Sequence, residues 1–189
     1  MEKLVQRFQK LLSQTTTSFL RYNHQTIDWN DRMTAIVGAR GVGKTTLILQ
    51  HIKLHHSLKD TLYVSADDFY FSEHKLLEFA EDFHKLGGKH LFVDEIHKYN
   101  GWSKEMKLIY DYLPNLQVTF TGSSILDIFR GTDDLSRRVL LYKMYGMSFR
   151  EYLNMHYQLS LPTYTLEQVL NHEVVAEGIE FPLAAFKEY

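Results

Sequence analysis

Residues 38–45, Gly38-Ala39-Arg40-Gly41-Val42-Gly43-Lys44-Thr45, stand between the apolar run Met33-Thr34-Ala35-Ile36-Val37 and the stretch Thr46-Leu47-Ile48-Leu49-Gln50. They match G-x-x-x-x-G-K-[ST], a pattern with a chemical reason at each fixed position. Glycines let the backbone wrap closely around a phosphate through angles other residues avoid. Successive N–H groups then point inward as an anion nest, and the helix that follows adds its positive N-terminal end. A lysine at position 44 reaches the β- and γ-phosphates, and a threonine at 45 offers its hydroxyl to Mg²⁺. The alternative is a glycine-rich turn with an incidental lysine. The flanking strand and helix argue for the phosphate loop, with Gly38, Ala39, Arg40, Gly41, Val42, Gly43, Lys44, Thr45 and Thr46 as its nucleotide-binding set.

The rest of the chain alternates in the way such a loop requires. Apolar periodicity predicts strands at 33–37, 61–65, 90–93, 117–121 and 139–144. Between them lie helical stretches at 44–57, 74–86 (closed by Gly87-Gly88), 102–113 (stopped by Pro114) and 124–129. Ser148-Phe149-Arg150-Glu151 opens a further helix with a capping-box pattern, and 165–172 has helical character. Before the first strand, Leu4, Phe8, Leu11 and Leu12 give an amphipathic helix. The expected fold is α/β: a three-layer P-loop NTPase with a mostly parallel five-stranded sheet and helices on both faces. Ligands in such sheets gather at the carboxyl ends of the strands. The expected organisation is an N-terminal helical segment at 1–30, the core at 31–157, and the start of a truncated lid or C-terminal region at 158–189. The last residues, through Phe181 and Pro182, show no recognisable closing element.

With 44% hydrophobic and 23% charged residues in 189, the chain can bury an ordinary core. It has no cysteine, which excludes disulfides, thiolate zinc sites and iron–sulfur clusters and fits a reducing cytoplasm. A net charge of −2 advertises no overall nucleic-acid field, although a local patch stays open. Neither a signal peptide nor an apolar run of membrane-spanning length is present, so no membrane partner is expected and the location is read as cytoplasmic.

Leu91-Phe92-Val93 runs into Asp94-Glu95. An Asp at this place after a phosphate loop holds Mg²⁺, and a Glu beside it can polarise the attacking water as general base. Taken alone the pair would read as a polar strand end. Neither D-x-x-G after this strand nor N-K-x-D occurs, which favours ATP over GTP. The fourth strand ends in Thr121-Gly122-Ser123-Ser124. Thr121 and Ser123 are candidates to contact the γ-phosphate or water from between the acidic residues. Helix capping by Ser123 or Ser124 is the competing role. Arg137-Arg138, just before the fifth strand, are candidates for an arginine finger reaching a neighbouring subunit, against a solvated or salt-bridged pair.

The stretches AIVGARGVGKTTL, LFVDEIHKYNGW, TFTGSS and LSRRVLLYKMYGMSFREYL span about residues 31–153. Together they resemble the AAA+-like ATPases. One prokaryotic branch is especially similar, in which a domain of this type precedes a C-terminal domain of poorly defined function. The resemblance implies binding of ATP, dependence on Mg²⁺ and assembly into a ring or dimer. The sequence does not give the target, a protein or DNA, and a nucleotide-gated switch or binding module with little turnover, DNA-associated or not, is the alternative to an ATPase. AAA+ proteins usually follow the sheet with a helical lid carrying a further phosphate-sensing arginine. Here the last arginine is Arg150, within the SFREYL segment, so a lid arginine is not expected.

Other residues read mainly as structural. His51 and His55 have the i, i+4 spacing that can bind zinc, but no Glu completes an HExxH pattern, and a packing role is preferred. Asp67-Asp68 reads as a loop or helix cap, against a supporting polar role near the site, and His97, Lys98, Tyr99 and Trp102 as packing or surface residues, against contact with a partner or nucleic acid.

Overall fold

All four strand pairings in the computed structural model are parallel. The structure describes residues 1–123, 135, 137–173 and 182–189. The strands are β1 (Met33–Val37), β2 (Thr61–Ser65), β3 (His90–Asp94), β4 (Gln117–Gly122) and β5 (Leu140–Lys143), in the order β2-β3-β4-β1-β5. The expected mostly parallel sheet is therefore parallel throughout. β1 is buried along its whole length, as its uninterrupted apolar run requires, whereas β5 is an edge strand with partly exposed residues. The chain leaves β1 towards β2 on one side and leaves β4 towards β5 on the other. The crevice between β1 and β4 is thus the point where the connections diverge, and ligands bind sheets of this kind there.

The helices are α1 (Glu2–Gln14), α2 (Asn23–Thr26), α3 (Lys44–His55), α4 (Tyr70–Glu73), α5 (Leu76–Lys85) and α6 (Trp102–Tyr112). Side-chain alternation along the strands assigns the layers. Tyr63 and Phe92 are register partners on one face. Tyr63 stacks on Phe8 of α1, and Phe92 meets His51 and His56 at the end of α3. Phe120 faces the other way, onto Trp102 of α6, which packs against α5.

Several expected boundaries shift for local reasons. In α1, Leu4, Phe8 and Leu12 are buried while Leu11 is 40% exposed, because residues four apart share a helix face and Leu11 falls off that row. The expected 74–86 helix starts two residues later, as α5: His74 and Lys75 are extended and separate it from the α4 turn before them. The expected helix at 124–129 and Ser124 lie outside the described residues.

The chain divides into two compact units, Met1–Gly146 and Met147–Tyr189. The first contains the sheet and the N-terminal segment, which α3 fastens to itself. Gln50 donates to the carbonyls of Thr16 and Phe19 (2.8 Å each), and Lys53 donates to that of Thr15 (2.7 Å). The second unit contains α7 (Phe149–His156), α8 (Leu166–Leu170) and α9 (Pro182–Glu188). Ser148 and Glu151 make the reciprocal capping box read in the sequence, and Thr165 and Gln168 make another. Helix α9 corrects the reading that the last residues form no recognisable element: Phe186 and Tyr189 pack on Phe149.

Candidate active site

The turn between β1 and α3 explains its glycines. Gly43 caps α3 with φ 99°, a left-handed angle that a side chain would strain. Gly38 faces a different limit, since a Cβ there would lie 2.1 Å from the carbonyl oxygen of Met144. β5 can therefore run beside the loop only if residue 38 has no side chain. Residues 39–41 of the loop are exposed, and so is Thr46. Lys44, in contrast, is only 4% exposed. Its ammonium donates to the carbonyls of Gly38 (2.8 Å) and Ala39 (3.0 Å). Burial pulls its pKa below the ordinary lysine value, and the nearby charges of Glu95 and Asp94 oppose that shift. Arg21, from the N-terminal segment, braces the loop from behind by donating to the carbonyl of Val42 (2.7 Å).

Asp94, at the end of β3, is 3% exposed and collects hydroxyl donors from three elements. Its Oδ2 accepts from Thr45 of α3 (2.6 Å) and from the Tyr63 phenol of β2 (2.7 Å). Its Oδ1 accepts from Thr121 of β4. A buried carboxylate without such partners would be strongly unfavourable, so the hydroxyls are what allow this one to sit at the floor of the crevice. Burial, reinforced by Asp94, pushes the Tyr63 phenol well above its ordinary range and keeps it a donor. Thr121 is fully buried and also accepts the Glu95 N–H (3.0 Å). It thus ties the two acidic residues together, as its position between them suggested, and its hydroxyl is turned to them rather than to open space.

Glu95 has φ 54° and ψ 42°, an unusual backbone for a residue with a long side chain. The kink turns its carboxylate off the strand line towards His97, whose Nε2 is 3.3 Å from Oε2. His97 also meets Ser123: the Ser123 N–H donates to Nδ1 (3.4 Å), and Nε2 lies 2.9 Å from Oγ. A ring whose Nδ1 accepts the Ser123 N–H has Nε2 free to donate towards Glu95 and Ser123.

Lys44, Thr45, Asp94, Glu95, Thr121 and Ser123 therefore meet at the carboxyl edge of the sheet, on the crevice between β1 and β4. Arg137 and Arg138 do not. Arg138 forms a fork with Asp111 near the end of α6 (2.9 and 3.3 Å). α6 runs back from the site, and Arg32, just before β1, donates to the neighbouring Tyr110 carbonyl. This places Arg138 at the amino edge of the sheet, while Arg137 is exposed. Tyr63, His97 and Arg21 belong around the site; Tyr63 and Arg21 are not singled out in the sequence, and His97 reads there as a packing or surface residue. Tyr63 lies in an apolar strand and reaches Asp94 only because β2 neighbours β3. His97 follows the acidic pair closely enough to have been a candidate, but nothing local told that its ring would bridge to β4.

The AAA domain family matches residues 30–153, from just before β1 into α7. An uncharacterised protein of Methanocaldococcus jannaschii is 32% identical over 157 residues, covering 77% of this chain and 33% of that protein. The chain thus spans about a third of the length of this relative. The solved structure of PCH-2 from C. elegans aligns with 93% of this chain and 48% of its own, at 17% identity and a TM-score of 0.49. No helix among the described residues is long and apolar enough to cross a membrane. The family match covers every strand and every residue gathered at the carboxyl edge, and the chain belongs to the AAA domain family of nucleotide-binding, ATPase-type P-loop proteins.

Proposed function

We propose that the chain is a Mg²⁺-dependent ATPase whose hydrolysis is coupled to action on a protein or DNA target. One observation carries this reading. The buried Asp94 joins Thr45 of the loop to a kinked Glu95, beside the buried Lys44. The loop N–H groups of residues 39–46 would wrap the phosphates of ATP. Lys44 would leave the Gly38 and Ala39 carbonyls for the β- and γ-phosphates.

The donor set fits Mg²⁺. The Thr45 hydroxyl and an Asp94 carboxylate oxygen lie side by side, both hard oxygen ligands of the kind this ion takes. When bound, Mg²⁺ would neutralise charge building on the phosphate oxygens. Glu95 would take a proton from a water whose oxygen attacks the γ-phosphorus as the bond to the β-phosphate oxygen breaks. His97 would hold the Glu95 carboxylate in place, and Ser123 would link that pair to β4. Arg137 is the better finger of the two arginines, because Arg138 is engaged by Asp111. A finger at the amino edge must act on a second copy, so the proposal includes self-association.

Phosphate release and ATP binding, measured together with and without Mg²⁺, test this reading. Wild type should bind and release, and Glu95→Gln should bind without release. Unchanged release in Glu95→Gln would remove Glu95 as the base. Binding without release in wild type would make the domain a nucleotide-gated switch.

A further inference from the structure

We infer that His24, His51 and His55 form a binding site for a divalent late transition-metal ion of the zinc class. The site would join the N-terminal segment to the end of α3 farthest from the phosphate loop. His51 and His55 lie one turn apart on the same face of α3, and α2 brings His24 over them. The ring centroids are 4.9 Å apart for His51–His55, 5.5 Å for His24–His51 and 5.4 Å for His24–His55. One nitrogen from each ring lies within 4.8 Å of the others. Ligand nitrogens around a tetrahedral zinc are about 3.4 Å apart, so side-chain rotations of an ångström or so would close the set.

A second observation points to a ligand. His51 is 5% exposed and is held by Trp29, which stacks on its ring at 3.7 Å. Its Nε2 lies 3.1 Å from His56 Nε2, but its Nδ1 has no hydrogen-bond partner among the described residues. The buried Nε2 of His24 has none either. An unpartnered buried polar nitrogen is costly, and an ion bound by these rings would give such nitrogens a partner. Burial, with the neighbouring rings, lowers the His51 pKa to about 3, and burial lowers that of His24. A neutral imidazole is the form that coordinates metal.

A cavity of about 570 Å³ opens beside the three rings, with Asp28, His56 and His90 also on its wall. It leaves room for water or Asp28 to complete the coordination. An imidazole set of this kind suits zinc, copper or nickel and is a poor match for Mg²⁺, which prefers oxygen. The site is thus chemically separate from the Thr45–Asp94 pair. Arg21 lies two residues before α2 and holds the Val42 carbonyl. An ion at the histidines would therefore fix the segment that braces the phosphate loop.

The test uses the tag-free chain, stripped with a chelator. Zn²⁺ is titrated by calorimetry and Co²⁺ by visible absorption. The expected result is one Zn²⁺ per chain at about micromolar affinity or tighter, with the intense Co²⁺ band of a four-coordinate site. Loss of even an outer-shell partner of a metal ligand costs about tenfold or more in affinity, so His55→Ala and His24→Ala should each weaken Zn²⁺ binding at least that much. His55 is exposed, so its variant should keep the wild-type circular dichroism. His74→Ala, outside the cluster, and Asp94→Asn, at the nucleotide site, should leave the Zn²⁺ affinity unchanged. Absence of binding in wild type, or equal affinity in His55→Ala, would overturn the proposal.

Discussion

At Glu95 two demands conflict, and the conflict is informative. Its left-handed backbone costs about 1–3 kcal/mol for a residue of this type, and a glycine or asparagine would adopt it more cheaply. Position 95 nevertheless carries a glutamate, with its N–H fixed by Thr121 and its carboxylate beside His97. If the carboxylate is the general base, Glu95→Asn should raise or preserve the unfolding midpoint in denaturant while phosphate release falls to background. A clear loss of stability would show that the glutamate is held there for structural reasons. Thr121→Val gives the converse test. It keeps the shape but removes the hydroxyl that donates to Asp94 and accepts from the Glu95 N–H, so that Asp94 loses one of its three hydroxyl donors and the Glu95 N–H keeps only its longer bond to Asp94 Oδ1 (3.2 Å). Chemical denaturation should show a loss of about 1–3 kcal/mol, and Thr121→Ser should recover most of it.

Among the elements, the β1–α3 turn is where fold and site are the same object. A methyl group at Gly38 would collide with the Met144 carbonyl, a backbone atom that cannot turn aside as a side chain can. Gly38→Ala should therefore displace the segment after β5, lower stability by about 1–3 kcal/mol, and weaken ATP binding together with it. Wild-type ATP affinity in a folded Gly38→Ala chain would contradict this coupling. The turn was legible in the sequence because everything that defines it is local: an apolar strand, spaced glycines, then Lys44 and Thr45. Asp94 and Glu95 were legible for the same reason, as carboxylates at the end of an apolar run. Tyr63 and His24 were not. Tyr63 reaches Asp94 only once β2 lies beside β3, and His24 reaches His51 only once the N-terminal segment folds back on α3. Periodicity reports which residues are buried, and it does not report which distant element buries them. Leu11 marks a limit of the same method within one helix, since a single step along the chain moved it from the core row to solvent.

For the whole molecule, the separation of Arg137 from Glu95 has a consequence that a single chain cannot display. The acidic residues and phosphate loop lie at the carboxyl edge of the sheet, and the arginines precede β5 at the amino edge. A guanidinium at that edge cannot reach the γ-phosphate of its own chain without unravelling the first part of β5. In a neighbouring copy it could approach the crevice from outside, where its planar fork suits a developing phosphate charge. A mixing experiment then follows. Glu95→Gln alone should lack phosphate release for want of a base, and Arg137→Ala alone for want of a finger. In an equal mixture, some interfaces would pair the intact Glu95 of one variant with the intact Arg137 of the other, and release should reappear as the total protein concentration rises. Release that stays at background in the mixture, under conditions where light scattering shows assembly, would remove Arg137 from the reaction. Release by Arg137→Ala alone at the wild-type rate would do so as well, leaving Lys44, Mg²⁺ and Glu95 sufficient for turnover.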